Sequence, residues 1–99
     1  MELKERVAIV SGGAKGIGLA AADCLLRLGA SVMLVDQSEA VESAATSLPE
    51  FGDGRFEFAV ADISRGAEGE SAIDATVNRF CAIDILLNNS GILTFGHAV

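Results

Sequence analysis

The sequence predicts a doubly wound α/β fold, a parallel sheet with helices on both faces. Three observations predict it. Short apolar runs alternate with helical stretches along the whole chain. The first two runs, Val7–Val10 and Val32–Val35, are apolar at every position, as strands buried on both faces are. The connections are long enough to carry crossover helices, which parallel strands require.

Taken in order, the first strand runs from Arg6 to Val10. The segment Ser11-Gly12-Gly13-Ala14-Lys15-Gly16-Ile17-Gly18 then turns the chain into a helix, Gly16 to Leu28, closed by Gly29. A second strand, Ser31 to Asp36, precedes a helix from Ser38 to Leu48 that Pro49 bounds. Phe51-Gly52-Asp53-Gly54 reads as loop. The third strand, Arg55 to Val60, alternates: Arg55 and Glu57 share one face, Phe56, Phe58 and Val60 the other, the pattern of a sheet edge with one wetter face. A third helix ends at Phe80 and begins at Ser64 or Ser71, its start weakened by Gly66 and Gly69. The fourth strand, Ile83 to Leu87, is apolar except for Asp84 and has the character of an interior strand. Only twelve residues follow it, leaving nothing to pair along its free side, and complete domains cover or charge such an edge. The expectation is therefore the first part of a longer protein, with residues 1–99 belonging to one domain.

Composition narrows the class. The chain is 51% hydrophobic and 21% charged, which is globular, and its apolar runs fall far short of the ~18 residues of a membrane span. The N-terminal Met1-Glu2-Leu3-Lys4-Glu5-Arg6 carries acids and matches neither a signal nor a transit peptide, so a soluble cytoplasmic protein is expected. A net charge of −7 with seven scattered basic residues argues against nucleic acid as a partner. Cys24 and Cys81 lie far apart without a CxxC spacing and read as buried or half-buried free thiols. His97 is the sole histidine, so no metal site is expected. Glu68 and Glu70 read as the solvated side of a helix.

The glycine segment carries the chemistry. A strand that ends in glycines and opens a helix places backbone N–H groups, at the positive end of the helix dipole, against a phosphate. Glycine supplies the unusual φ/ψ of the turn and lets a pyrophosphate approach the backbone. The plain alternative is a glycine-rich turn without a ligand. Lys15 precedes Gly16, which excludes the GxxxxGK[ST] phosphate loop. The dinucleotide reading requires an acid about 20 residues on, at the end of the next strand, and Asp36 stands there. Its own alternative is a polar strand end or a helix cap.

With these residues the chain resembles the first part of the short-chain dehydrogenase/reductase family, whose glycine motif is TGxxxGxG. Ala61-Asp62-Ile63 stands where the family has an aspartate against the adenine, and Asn88-Asn89-Ser90-Gly91 where it usually has NNAG. The departures are Ser11 for Thr, Ser90 for Ala, and Cys81 at a helix end where glycine is common and a positive φ is favoured. The resemblance covers nearly the whole chain. With right-handed crossovers it implies a Rossmann-type sheet of order 3-2-1-4, incomplete in its later strands and helices.

The resemblance also implies site residues. Gly12, Gly16 and Gly18 would form the phosphate turn, with Lys15 beside them and the Ile17 N–H on the pyrophosphate. Asp36 would take the adenosine ribose diol, Asp62 the adenine amino group, and Ile63 the ring face. Asn88 would lie near the second ribose, with Gly91 completing the motif, although an Asn at a strand end also ties neighbouring strands together. Asp36, followed by Gln37 and not by arginine, favours NAD over NADP, whereas Lys15 is the kind of residue some NADP-dependent relatives carry. The implied reaction is hydride transfer between the nicotinamide and an alcohol or carbonyl substrate, in a homo-oligomer. The family's proton donor is a tyrosine in YxxxK, and this chain has no tyrosine. No catalytic residue is assigned, and the 99 residues alone are expected to be inactive. The readings set against this one are a stand-alone NAD-sensing or nucleotide-binding module and a flavodoxin-like interaction domain without a dinucleotide.

Overall fold

The computed structural model describes residues 3–12, 16–48 and 54–88. Its elements are β1 (Val7–Ser11), α1 (Gly16–Arg27), β2 (Ser31–Asp36), α2 (Ala40–Thr46), β3 (Phe56–Val60), α3 (Gly66–Phe80) and β4 (Ile85–Asn88). The four strands pair in parallel in the order β3-β2-β1-β4, the predicted order.

Strand alternation sorts the core into two layers. Ala8, Val10, Val32, Leu34 and Phe56 point to one face, where Ala22 and Leu26 of α1 and Val41 and Ala45 of α2 cover them. Ile9, Met33 and Val35 point to the other, against Ala72 of α3 and Ala61. β1 and β2 are thus buried on both sides, which explains why their sequences do not alternate. Fully buried Ile9 and Leu34 each contribute roughly 1.5–3 kcal/mol by leaving water.

The two edges differ from their sequence patterns in opposite ways. β3 is an edge as expected, but Val60, assigned to its apolar face, is half exposed at the strand's last position. β4, whose composition is that of an interior strand, is the other edge, and Leu86 is 62% exposed. Side chains pin β4 to β1 at both ends. The Val7 N–H donates to Asp84 Oδ2 at 2.9 Å, and Ser11 Oγ donates to Asn88 Oδ1 at 2.8 Å.

Helix ends follow local chemistry. Gly29 takes φ +101° after α1, and Cys81 takes φ +73° after α3, the left-handed closure expected at both places. The start of α3 is Gly66, between the two starts the sequence offered. Gly69 is not a weak point there: a Cβ on it would lie 2.9 Å from the Ile63 carbonyl oxygen, so its hydrogen lets the helix back directly onto that loop. α2 is shorter than predicted at both ends. Cys24 and Cys81 are free as expected, but both are exposed. Cys24 falls on the outer side of α1, whose buried stripe is Gly18, Ala22 and Leu26.

Candidate functional site

The carboxyl ends of the parallel strands open into a cleft of about 1260 Å³. Seven of the residues proposed from the sequence line it: Gly12, Gly16, Ile17, Asp36, Asp62, Ile63 and Asn88. Gly18 does not reach the cleft; it is buried in the stripe of α1 that packs on the sheet. Lys15 and Gly91 lie outside the described residues, as do Asn89 and His97.

On one side, Gly12 and Gly16 have φ +70° and +65°, a region that side chains with a Cβ disfavour. The turn from β1 into α1 therefore depends on glycine at both points. Among the described helices, α1 alone has no acidic side chain in its first turn; α2 carries Glu42 there and α3 Glu68. The partial positive charge at the start of α1 is thus met by no acidic side chain of its own first turn.

Two aspartates form the opposite side. Asp36 ends β2, and its Oδ1 accepts the Ser38 N–H at 3.0 Å. The Asp36 carbonyl accepts the Ala61 N–H at 2.9 Å, which carries the ladder past β3 and brings the two acidic corners together. Asp62 Oδ1 accepts both the Ser64 hydroxyl at 2.6 Å and the Ser64 N–H at 3.1 Å. These bonds, the hydroxyl's first, hold the Asp62 pKa below its ordinary value of 3.8, with the nearby Arg65 charge acting the same way and partial burial opposing. Asp62 is therefore an anion at neutral pH.

The sequence reading missed four contributors, Ser64 and three more. Glu68, read as solvated, reaches back so that its Oε1 accepts the Asp62 N–H at 2.7 Å. Glu70 is exposed, as expected, but it lines the cleft. Ser11, seen only as a substitute for threonine, uses its buried hydroxyl to hold Asn88. Asn88 thus ties two strand ends together while it lines the cleft. The Asp-x-Ser spacing at 62–64 was the available signal for Ser64, since such pairs close on themselves in Asx turns; nothing local marks Glu68. Among the described residues, no group of three His, Cys, Asp or Glu side chains is placed to hold a metal ion.

The short-chain dehydrogenase family model matches residues 6–98. The chain belongs to the short-chain dehydrogenase family. It is 40% identical over 92 residues to sorbitol-6-phosphate 2-dehydrogenase of Klebsiella pneumoniae, covering 93% of this chain and 32% of that protein. The apo glucose dehydrogenase structure of Caenorhabditis elegans superposes with a TM-score of 0.84 at 31% identity, over 92% of this chain and 40% of that one. Two cofactor-bound structures are also similar. One is a 3-ketoacyl-(acyl-carrier-protein) reductase of Brucella melitensis with NADH, at TM-score 0.75 and 32% identity over 84% of this chain and 33% of that one. The other is the C-domain of a bacterial malonyl-CoA reductase with NADP, at TM-score 0.74 and 32% identity over 90% and 15%. The chain spans about a third of the length of the curated relatives it matches. Family members are oxidoreductases that use a nicotinamide dinucleotide, and the cleft lies where such folds bind one, outside the carboxyl ends of the strands.

Proposed function

We propose that residues 1–99 form the dinucleotide-binding unit of a cytoplasmic, NAD-dependent oxidoreductase that acts on an alcohol or carbonyl substrate. The residues fit the cofactor. The glycine turn at Gly12 and Gly16 admits a pyrophosphate, and the start of α1 with the Ile17 N–H offers it uncompensated positive charge. Gly18 packs α1 closely on the sheet, and Lys15 adds charge to the same loop. Asp36 takes the adenosine ribose, Asp62 the adenine amino group and Ile63 the ring. Asn88 belongs to the side nearer the second ribose, and Gly91, outside the described residues, is assigned to the same motif from the sequence. The nicotinamide supplies or accepts hydride when bound; the residues described here bind and orient, and none is assigned a proton-transfer role.

The observation that carries this reading is the convergence of the glycine turn with two carboxylates, Asp36 and Asp62, around one cleft. Family membership favours an oxidoreductase over a stand-alone sensor. The preference for NAD rests on Asp36. Its carboxylate can accept from both ribose hydroxyls, a charge-assisted interaction worth about 1.5–3 kcal/mol, and it repels a 2′-phosphate. Gln37, which also lines the cleft, brings no positive charge. Among the described residues, no helix is long and apolar enough to cross a membrane, and the net charge of −7 weighs against a nucleic-acid partner. Assembly as a homo-oligomer is part of the proposal on family grounds. Calorimetric titration with NAD, NADP and ADP-ribose tests the reading: NAD and ADP-ribose bind, and NADP binds more weakly. Tenfold tighter binding of NADP would overturn the role of Asp36.

A further inference from the structure

We propose that Glu68 is the positioning residue of the base-side corner of the cleft, fixing the Asp62 backbone from which the adenine-facing carboxylate projects. This rests on the cofactor reading above. The Ala61 N–H makes the last ladder bond, to the Asp36 carbonyl. One residue later the chain leaves the sheet, and the Asp62 N–H needs a partner from elsewhere. Glu68 Oε1 accepts it at 2.7 Å, in the range of a charge-assisted bond.

The placement of Glu68 is itself supported. It sits in the first turn of α3, where the helix dipole favours a negative side chain, and its Oε2 lies 3.9 Å from Arg65 Nη1. The next residue, Gly69, lets the helix back onto the Ile63 carbonyl, where a Cβ would stand only 2.9 Å away. Two consecutive residues of α3 therefore dock the Asp62-Ile63 step, one by a carboxylate and one by having no side chain. Ser64 then orients the Asp62 carboxylate with two bonds of its own. Backbone and side chain of Asp62 are held by different residues, and Glu68 acts on adenine only through Asp62.

The test compares NAD with its hypoxanthine analogue, which lacks the amino group that Asp62 accepts. Calorimetric titration of Glu68→Ala should show NAD weakened about fivefold, with the analogue changed by less than about twofold. Glu68→Gln, whose amide oxygen still accepts the Asp62 N–H, should restore NAD affinity. In the ligand-free protein, hydrogen exchange at the Asp62 amide should accelerate about fivefold in Glu68→Ala and stay unchanged in Glu68→Gln. If the alanine variant does not fold, Glu68→Asp, which keeps the charge and withdraws it by one methylene, takes its place in both measurements. Equal weakening of NAD and the analogue overturns the proposal, as does unaltered Asp62 exchange in a folded variant. A wild type that binds neither dinucleotide overturns the cofactor reading, and the Asp62 amide still decides whether Glu68 holds the corner.

Discussion

Asp36-Gln37-Ser38 and Asp62-Ile63-Ser64 share one local pattern at neighbouring strand ends, yet the two corners use it differently. In both, the serine N–H donates to the aspartate Oδ1, at 3.0 and 3.1 Å. The hydroxyls part ways. Ser38 Oγ turns forward and accepts the Ala40 N–H at 3.1 Å, serving the start of α2. Ser64 Oγ turns back and donates to Asp62 at 2.6 Å. The helix that follows accounts for the difference. Ser38 Oγ meets the first amide of α2, whereas at α3 the acidic first-turn residue Glu68 is directed to the Asp62 backbone. A three-residue pattern fixes both turns; at Asp62 the serine hydroxyl adds a second hold on the carboxylate, and Glu68, six positions on, holds the backbone.

Substitutions can break or sharpen this contrast. The largest effect is expected at Asp36, whose carboxylate is proposed to take the ribose hydroxyls. Asp36→Ala should weaken NAD about tenfold or more and narrow the gap to NADP, read by calorimetry with both dinucleotides. Ser64→Ala comes next. Removing the shortest bond to Asp62 should raise its pKa toward 3.8, read from the carboxyl-carbon NMR titration, and weaken ADP-ribose about threefold. The sign for stability follows from the lowered folded pKa. Ionised Asp62 contributes fully above about pH 3.8, and that contribution fades as pH falls through the folded value. With its folded pKa near the ordinary value, the Ser64→Ala protein should lack this contribution at neutral pH and lose less stability than the wild type on acid titration, the two converging below the wild-type folded value. Ser38→Ala should have the smallest effect, about 0.5 kcal/mol in urea unfolding through the start of α2, with NAD affinity unchanged because the Ser38 N–H remains. Equal losses of affinity from both serine substitutions would erase the distinction between the corners.

Much of this was legible in the sequence, for reasons that are local. The unbroken apolar runs of β1 and β2 announced strands covered on both faces, and Gly29 and Cys81 marked left-handed helix ends. Asp36 could be placed because the dinucleotide pattern puts an acid at the end of the second strand, and Asp62 through the family resemblance. What failed required knowledge of a distant neighbour. Gly69 looked like a helix breaker until the Ile63 carbonyl behind it was known. Glu68 looked solvated because its partner, an amide six residues earlier, is brought close only by the bend between β3 and α3. The thiols were misjudged because an apolar helix sequence does not say which side faces out, and Cys24 lies outside the buried stripe. β4 was read as it stands: interior-type composition at a sheet edge with nothing among the described residues paired along its free side, which leaves Leu86 uncovered.

One arginine links parts of the chain that the sheet alone would leave independent. From the mouth of β3, the Arg55 guanidinium donates to the carbonyls of Leu26 at 3.1 Å and Ala30 at 2.7 Å, the first in the closing turn of α1 and the second just before β2. An outer strand would ordinarily fray at its own low free energy. Here its opening strips partners from a helix terminus three elements earlier, so peeling of that margin and loosening of α1 belong to a single cooperative event.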